Sequence, residues 1–176
     1  MKKIKNIKVV LMVFAAITLV GVVAVLLPNP SKPSNTLIYT DTDYGFSFSY
    51  PENYKPRAFS DLEDTKTILI ENSDTNQGAQ VFVSPFDEDI VLTPERIKKE
   101  VPDLVVLEPQ NRSLGGVTGV VFRSTNALNT ESKELWMVHK NNLYQISLPA
   151  QAGVPVAQQT SPELFDTIVT TWHWNE

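Results

Sequence analysis

The chain has no cysteine and only two histidines and seven glycines among 176 residues. Without cysteine there is no disulfide and no thiolate metal ligand, so an oxidising compartment neither supports nor harms the fold. A bacterial lipoprotein anchor, which needs a cysteine at the end of the leader, is excluded too. Only His139 and His173 could act as imidazole bases, and no Gly-x-Ser-x-Gly elbow, His-Glu-x-x-His pair or phosphate-cradling glycine loop accompanies them. His139 ends an expected strand beside the turn at Asn141-Asn142 and reads as an exposed hairpin histidine. His173, between Trp172 and Trp174, falls at the close of the last expected helix, where the negative dipole end suits it. Gly115-Gly116 reads as a turn.

Acidic residues are missing from the first forty positions. Lys2, Lys3, Lys5 and Lys8 precede an apolar run over 9–27, broken only by Thr18 and Gly21. At about 1.5 Å per residue the run spans roughly 28 Å, close to the ~30 Å hydrocarbon thickness of a bilayer. The expectation is a cytoplasmic stub over 1–8, a single transmembrane helix over 9–27 and everything later outside the cytoplasm, in the cell envelope. A cleaved signal peptide is the competing reading. Its apolar core usually has about 7–15 residues and a small-x-small cleavage site, whereas this longer run ends Val25-Leu26-Leu27-Pro28. A type IV pilin stalk would be broken by Pro28 and Pro30.

Residues 28–36, Pro-Asn-Pro-Ser-Lys-Pro-Ser-Asn-Thr, carry no apolar side chain besides proline, and such a stretch makes an extended linker of roughly 28 Å at ~3.1 Å per residue. Residues 37–176 then suit one extracytoplasmic domain with its own core. Taking the four N-terminal lysines from the fifteen basic side chains leaves eleven against twenty acidic ones, a net charge of −9 beyond residue 8. Nucleic acid and anionic lipid are poor partners for such a head.

Tyr44 to Tyr50 alternates aromatic and small polar residues, the period of a strand with one buried face, and Pro51 stops it. Further strands are expected over 67–71, 79–84, 104–107, 117–124, 134–139 and 143–148. Ile68-Leu69-Ile70 and Val81-Phe82-Val83 are apolar on both parities, so both faces of the sheet centre should be covered. Asn141-Asn142 favours the positive φ of a tight hairpin, and Asn72 to Gly78 forms an earlier hairpin loop, which makes the pairing mostly antiparallel. Thr93-Pro94-Glu95 starts a helix with Ile97 and Val101 on its inner face before Pro102. Ser161-Pro162-Glu163 starts another, whose stripe Leu164, Phe165, Ile168, Val169 and Trp172 is built to lie on a sheet.

Asp41, Asp43 and Glu52 stand at positions 1, 3 and 12 of a calcium loop, but position 6 is Phe46 where glycine is needed. Asp61, Glu63 and Asp64, or Asp87, Glu88 and Asp89, read as solvated loop charges. Asn111-Arg112-Ser113 has the form of a glycosylation sequon. No catalytic, cofactor or metal residue is assigned.

Gly45-Phe46-Ser47-Phe48-Ser49-Tyr50-Pro51-Glu52-Asn53-Tyr54 resembles the opening of PsbP-like domains. Gly116 to Phe122 looks like that family's central Gly-x-x-Gly strand, 143–148 like its penultimate hairpin strand and 164–172 like its closing helix. The resemblance implies an α+β fold, an α/β/α sandwich around an antiparallel sheet, as used by extracytoplasmic accessory and binding proteins. The expected function is a non-enzymatic, membrane-anchored accessory domain that binds an envelope protein or a small ligand through a sheet edge or loop-lined cleft. The alternatives are a small enzyme using acidic residues with His139, and a structural envelope protein without ligand.

Overall fold

The computed structural model describes residues 35–60, 64–75, 77–125, 131–149 and 162–175. Among these, β1 is Thr36–Asp41, β2 Phe46–Pro51, β3 Lys55–Ser60, β4 Lys66–Asn72, β5 Gln77–Pro85, β6 Val105–Leu114, β7 Val117–Thr125, β8 Glu131–His139, β9 Asn142–Pro149 and β10 His173–Trp174; α1 is Pro94–Glu100 and α2 Pro162–Thr171. The apolar run over 9–27, most of the 28–36 linker and the Ser161 cap lie outside the described residues. No helix within them is long and apolar enough to cross a membrane.

Pairing is antiparallel throughout, in two sheets: β1-β2-β10, and β3-β4-β5-β9-β8-β7-β6. Tight turns make the hairpins. Lys140 and Asn141 hold φ of 49° and 60° between His139 and its partner Asn142, so the left-handed pair sits one residue earlier than the two asparagines suggest. Gly115 and Gly116 take φ of 53° and 88° between paired Leu114 and Val117. At the β4–β5 turn the Asn72 side-chain oxygen accepts the Asp74 and Thr75 N–H groups. Within β7, Gly119 lets β8 approach, since a Cβ there would lie 2.9 Å from the Trp136 carbonyl oxygen.

One face of the large sheet, with Ile68, Ile70, Val81, Val83, Met137 and Ile146, packs against Phe46 and Phe48 of β2 and Leu164, Phe165, Ile168 and Val169 of α2. Each such side chain contributes about 1.5–3 kcal/mol on burial. The opposite face packs Phe122, Trp136, Val138 and Leu143 against Phe86, Leu92 and Ile97. The result is an α+β sandwich with a mostly antiparallel sheet and the C-terminal helix docked on it.

Several local expectations change. The aromatic strand belongs to a separate small sheet rather than to the main one, because both flanking segments pair with it. Leu69 and Phe82 are only half-buried: α1 is short and packs at the β7–β9 end, so it does not reach them. Val101 is exposed beyond the end of α1 while Ile97 is fully buried. Trp172 does not belong to α2; the helix ends at Thr171, and the chain extends into β10, which pairs with Ser47 and Phe46. Strands β1 and β3 carry no clear period-two apolar signal, because each is an edge strand with mostly exposed side chains.

Candidate functional site

The aspartates with calcium-loop spacing converge on an ammonium group. Asp41, buried at the end of β1, accepts the Asp43 and Tyr44 N–H groups on one carboxylate oxygen at 3.2 and 3.1 Å. Its other oxygen accepts the Tyr39 hydroxyl at 3.1 Å and lies 2.6 Å from Lys66 Nζ, which is also 2.8 Å from Asp43. Burial alone would raise the Asp41 pKa, but the Lys66 hydrogen bond, the Tyr44 N–H and the lysine charge outweigh it and hold the carboxyl below its usual value. Burial and the neighbouring Asp41 push the Tyr39 phenol up to about 12. Glu52 sits at the far end of β2, where it accepts from Asn35.

Of the loop acids, Asp61 and Glu63 lie outside the described residues. Asp64 contributes its backbone oxygen to the Tyr44 hydroxyl at 2.7 Å. Glu88 pairs with Arg96, and no group of three or more metal-ligating side chains gathers among the described residues. Asn111 is exposed on β6.

Neither histidine occupies its expected setting. His139 is half-buried rather than solvated, with its ring centroid 4.1 Å from that of Trp174 and its Nε2 buried without a hydrogen-bond partner. Burial and then the Lys140 charge lower its pKa, against an opposing pull from Asp89. His173 lies in β10, not at a helix end; its Nε2 is 3.0 Å from Ser47 Oγ, which donates to Asn175. Ser47 therefore faces a small polar cluster opposite the aromatic core.

The residue that pattern reading passes over is Glu134. It opens the apolar stretch Leu135-Trp136-Met137-Val138 and shares a sheet face with Trp136 and Val138, so its phase in β8 is the available signal. Its carboxyl is buried and receives hydrogen bonds from Ser124 Oγ at 3.3 Å, from Trp136 Nε1 at 3.3 Å and from Ser147 Oγ. Desolvation raises its pKa; the three donors oppose that shift without cancelling it. Each donor is neutral. Basic neighbours in sequence are engaged elsewhere, Lys133 with Asp166 and Arg123 with Glu108.

On the same sheet face a cleft of about 250 Å³ opens at the β4–β5 hairpin, lined by Leu69, Glu71, Asn72, Ser73, Gln80 and Pro149 among others. Register ties it to the buried carboxyl: Leu69 pairs with Gln80, Gln80 with Ser147, and Ser147 with Glu134. This cross-strand row lies on the part of the face that α1 leaves uncovered. Gly78 closes the cleft's end, where a Cβ would meet the Ile70 carbonyl oxygen at 2.6 Å.

No family model and no curated protein matches the sequence. Among solved structures, the solution structure of cyanobacterial PsbP (CyanoP) from Synechocystis sp. PCC 6803 matches with a TM-score of 0.57 at 16% identity, covering 84% of this chain and 97% of that one. Two sheets, the docked C-terminal helix and this superposition together give the chain a PsbP-like fold.

Proposed function

We propose that the protein is a single-pass, membrane-anchored, extracytoplasmic accessory domain that binds an envelope protein or a small ligand in the cleft at the β4–β5 hairpin. The carrying observation is the cleft itself, where half-buried Gln80 stands among Glu71, Asn72 and Ser73, and from which the cross-strand row runs through Ser147 to the buried Glu134. Concave surfaces with a few convergent polar groups are the usual form of a binding site. The basic apolar start of the chain supports the anchor. A non-enzymatic role is favoured because several of the described groups able to do acid–base work already serve the fold: Asp41 and Asp43 hold Lys66, Glu134 holds two serines and an indole, and His139 lies against Trp174.

Photo-crosslinking in intact cells, from a reactive residue at Gln80 and separately at Lys99 on the far helix, tests the binding role. A discrete adduct from position 80 and none from position 99 supports it. Equal labelling from both positions, or a hydrolytic activity that His139→Ala abolishes, overturns it in favour of a spacer or an enzyme. For topology, protease added to spheroplasts should digest the head and spare a tag placed before Met1.

A further inference from the structure

Sheet edges invite further strands unless something blocks them. Two of the edges here are blocked: β3 carries Lys55, Pro56 and Arg57, and β6 breaks its register at a bulge between Leu107 and Gln110, next to Glu108 and Arg112. Strand β1 has no such device. It forms the edge of its sheet, and no described strand pairs with its outer side. Asn35 O accepts the Glu52 N–H at 3.0 Å, so by antiparallel alternation Asn35, Leu37, Tyr39 and Asp41 direct their backbone groups at β2. Thr36, Ile38 and Thr40 direct theirs outward. The same strand exposes Leu37 by 48% and Ile38 by 69%.

We propose that β1 is a homodimer interface, pairing antiparallel with β1 of a second copy of this chain about a two-fold axis through Ile38. The sequence of the edge selects this occupant. Thr36-Leu37-Ile38-Tyr39-Thr40 is nearly palindromic in chemistry, and an isologous contact needs self-complementarity. A two-fold at Ile38 sets Ile38 against Ile38 of the partner subunit, Thr36 against Thr40 of the partner subunit and Leu37 against Tyr39 of the partner subunit. The three outward-facing residues then form the hydrogen-bonded pairs, each exchanging two backbone bonds. Every exposed apolar side chain of the strand gains an apolar neighbour on its own face. The five residues are uncharged, and the strand's one acid, Asp41, is already paired with Lys66. Two acidic heads can therefore meet here without like charges in contact. The small sheet would become a continuous six-stranded one across the dimer, with β10 at each end.

The full chain contains no cysteine, so I38C introduces its sole thiol. In the purified full chain under mild oxidation, I38C should form a covalent dimer, whereas V105C, also solvent-exposed but on β6, should stay monomeric. Sedimentation of the full chain should show a dimer that I38K, which sets two ammonium groups together at the axis, converts to monomer while near-ultraviolet tryptophan signals persist. A monomeric wild-type chain, no more dimer from I38C than from V105C, or an I38K chain of unchanged mass overturns the proposal. So does I38C crosslinking in cells to a different protein in place of a second copy.

Discussion

Trp174 lies against His139, their ring centroids 4.1 Å apart, and so fastens the C-terminal strand of the small sheet to the β8–β9 turn of the large one. The same indole lies against Gly115, where a Cβ would come within 2.9 Å of its ring. Trp172, two residues earlier, stacks on Phe46 at 4.4 Å and on Phe48 at 5.7 Å. The two indoles meet edge to face at 5.6 Å, and both also contact Phe46 and Tyr144, so the closing segment inserts them into one aromatic cluster.

Truncation separates their roles. Trp172→Ala removes a buried side chain from the centre of the aromatic cluster and should cost about 3–5 kcal/mol, the range for a buried aromatic. Trp174→Ala, at a half-buried site, should cost about 1–3 kcal/mol. His173→Ala gives up one hydrogen-bonded contact with Ser47, about 0.5–1.5 kcal/mol. Denaturant midpoints of the three variants should follow that order; a Trp172→Ala midpoint equal to wild type would mean that the segment is undocked.

Lys66→Ala leaves Asp41 buried beside Asp43 without a cation and should cost about 3–5 kcal/mol at neutral pH. Asp41 has a folded pKa below its unfolded one, so its contribution is full above the unfolded value of about 3.9 and is lost as pH falls through the folded value. Acid titration of the wild type should therefore show a loss of stability below about pH 4. Lys66→Ala should flatten that part of the slope, because the lysine hydrogen bond and charge no longer lower the pKa and only the Tyr44 N–H and Tyr39 hydroxyl remain to oppose burial.

Glu134 has the opposite sign. A carboxyl with a raised folded pKa binds protons more readily in the fold, so it weakens stability as pH rises from the unfolded value of about 4.3 towards the folded one. Glu134→Gln keeps the shape and most hydrogen bonds without the charge. It should raise the urea midpoint at pH 8 and leave it nearly unchanged at pH 4. A lower midpoint at both values would show that the ionised carboxyl is itself what its three donors stabilise.

His139 stays neutral in the fold below its ordinary pKa, since burial and Lys140 disfavour its charge more than Asp89 supports it. Stability from this group is full above about pH 6.5 and is lost as pH falls below it, a window well separated from that of Asp41. His139→Phe retains a ring beside Trp174 and cannot titrate. Glu134 acts with the opposite sign over part of this range, so the readout is the difference. Relative to His139→Phe, the wild-type chain should lose stability between pH 7 and pH 5, and parallel profiles would remove His139 as a cause.

Much of the architecture is legible along the chain because its signals are local. Positive φ at a hairpin, threonine capping before Pro94, and the stripe from Leu164 to Val169 each depend on neighbours a few residues away. Edge strands such as β1 and β3 escape that reading, since they bury little and show no clean alternation. The site is harder still. Asp41 and Asp43 look like cation ligands by spacing, and a lysine more than twenty residues later fills the place.

Local reading of the chain supplies an inventory: an apolar start, a proline-rich stretch, strands and helices with their turns, and the aromatic period of β2. Which polar groups meet depends on the assembled fold. His173 reaches Ser47 across 126 residues, and Glu134 finds two of its three donors on β7 and β9, strands with which it shares only a register. Backbone propensity acts over one or two turns of chain. The choice between a solvated and a buried charge depends on the low-dielectric surroundings that distant segments assemble, and the spacing of residues along the chain carries no record of it.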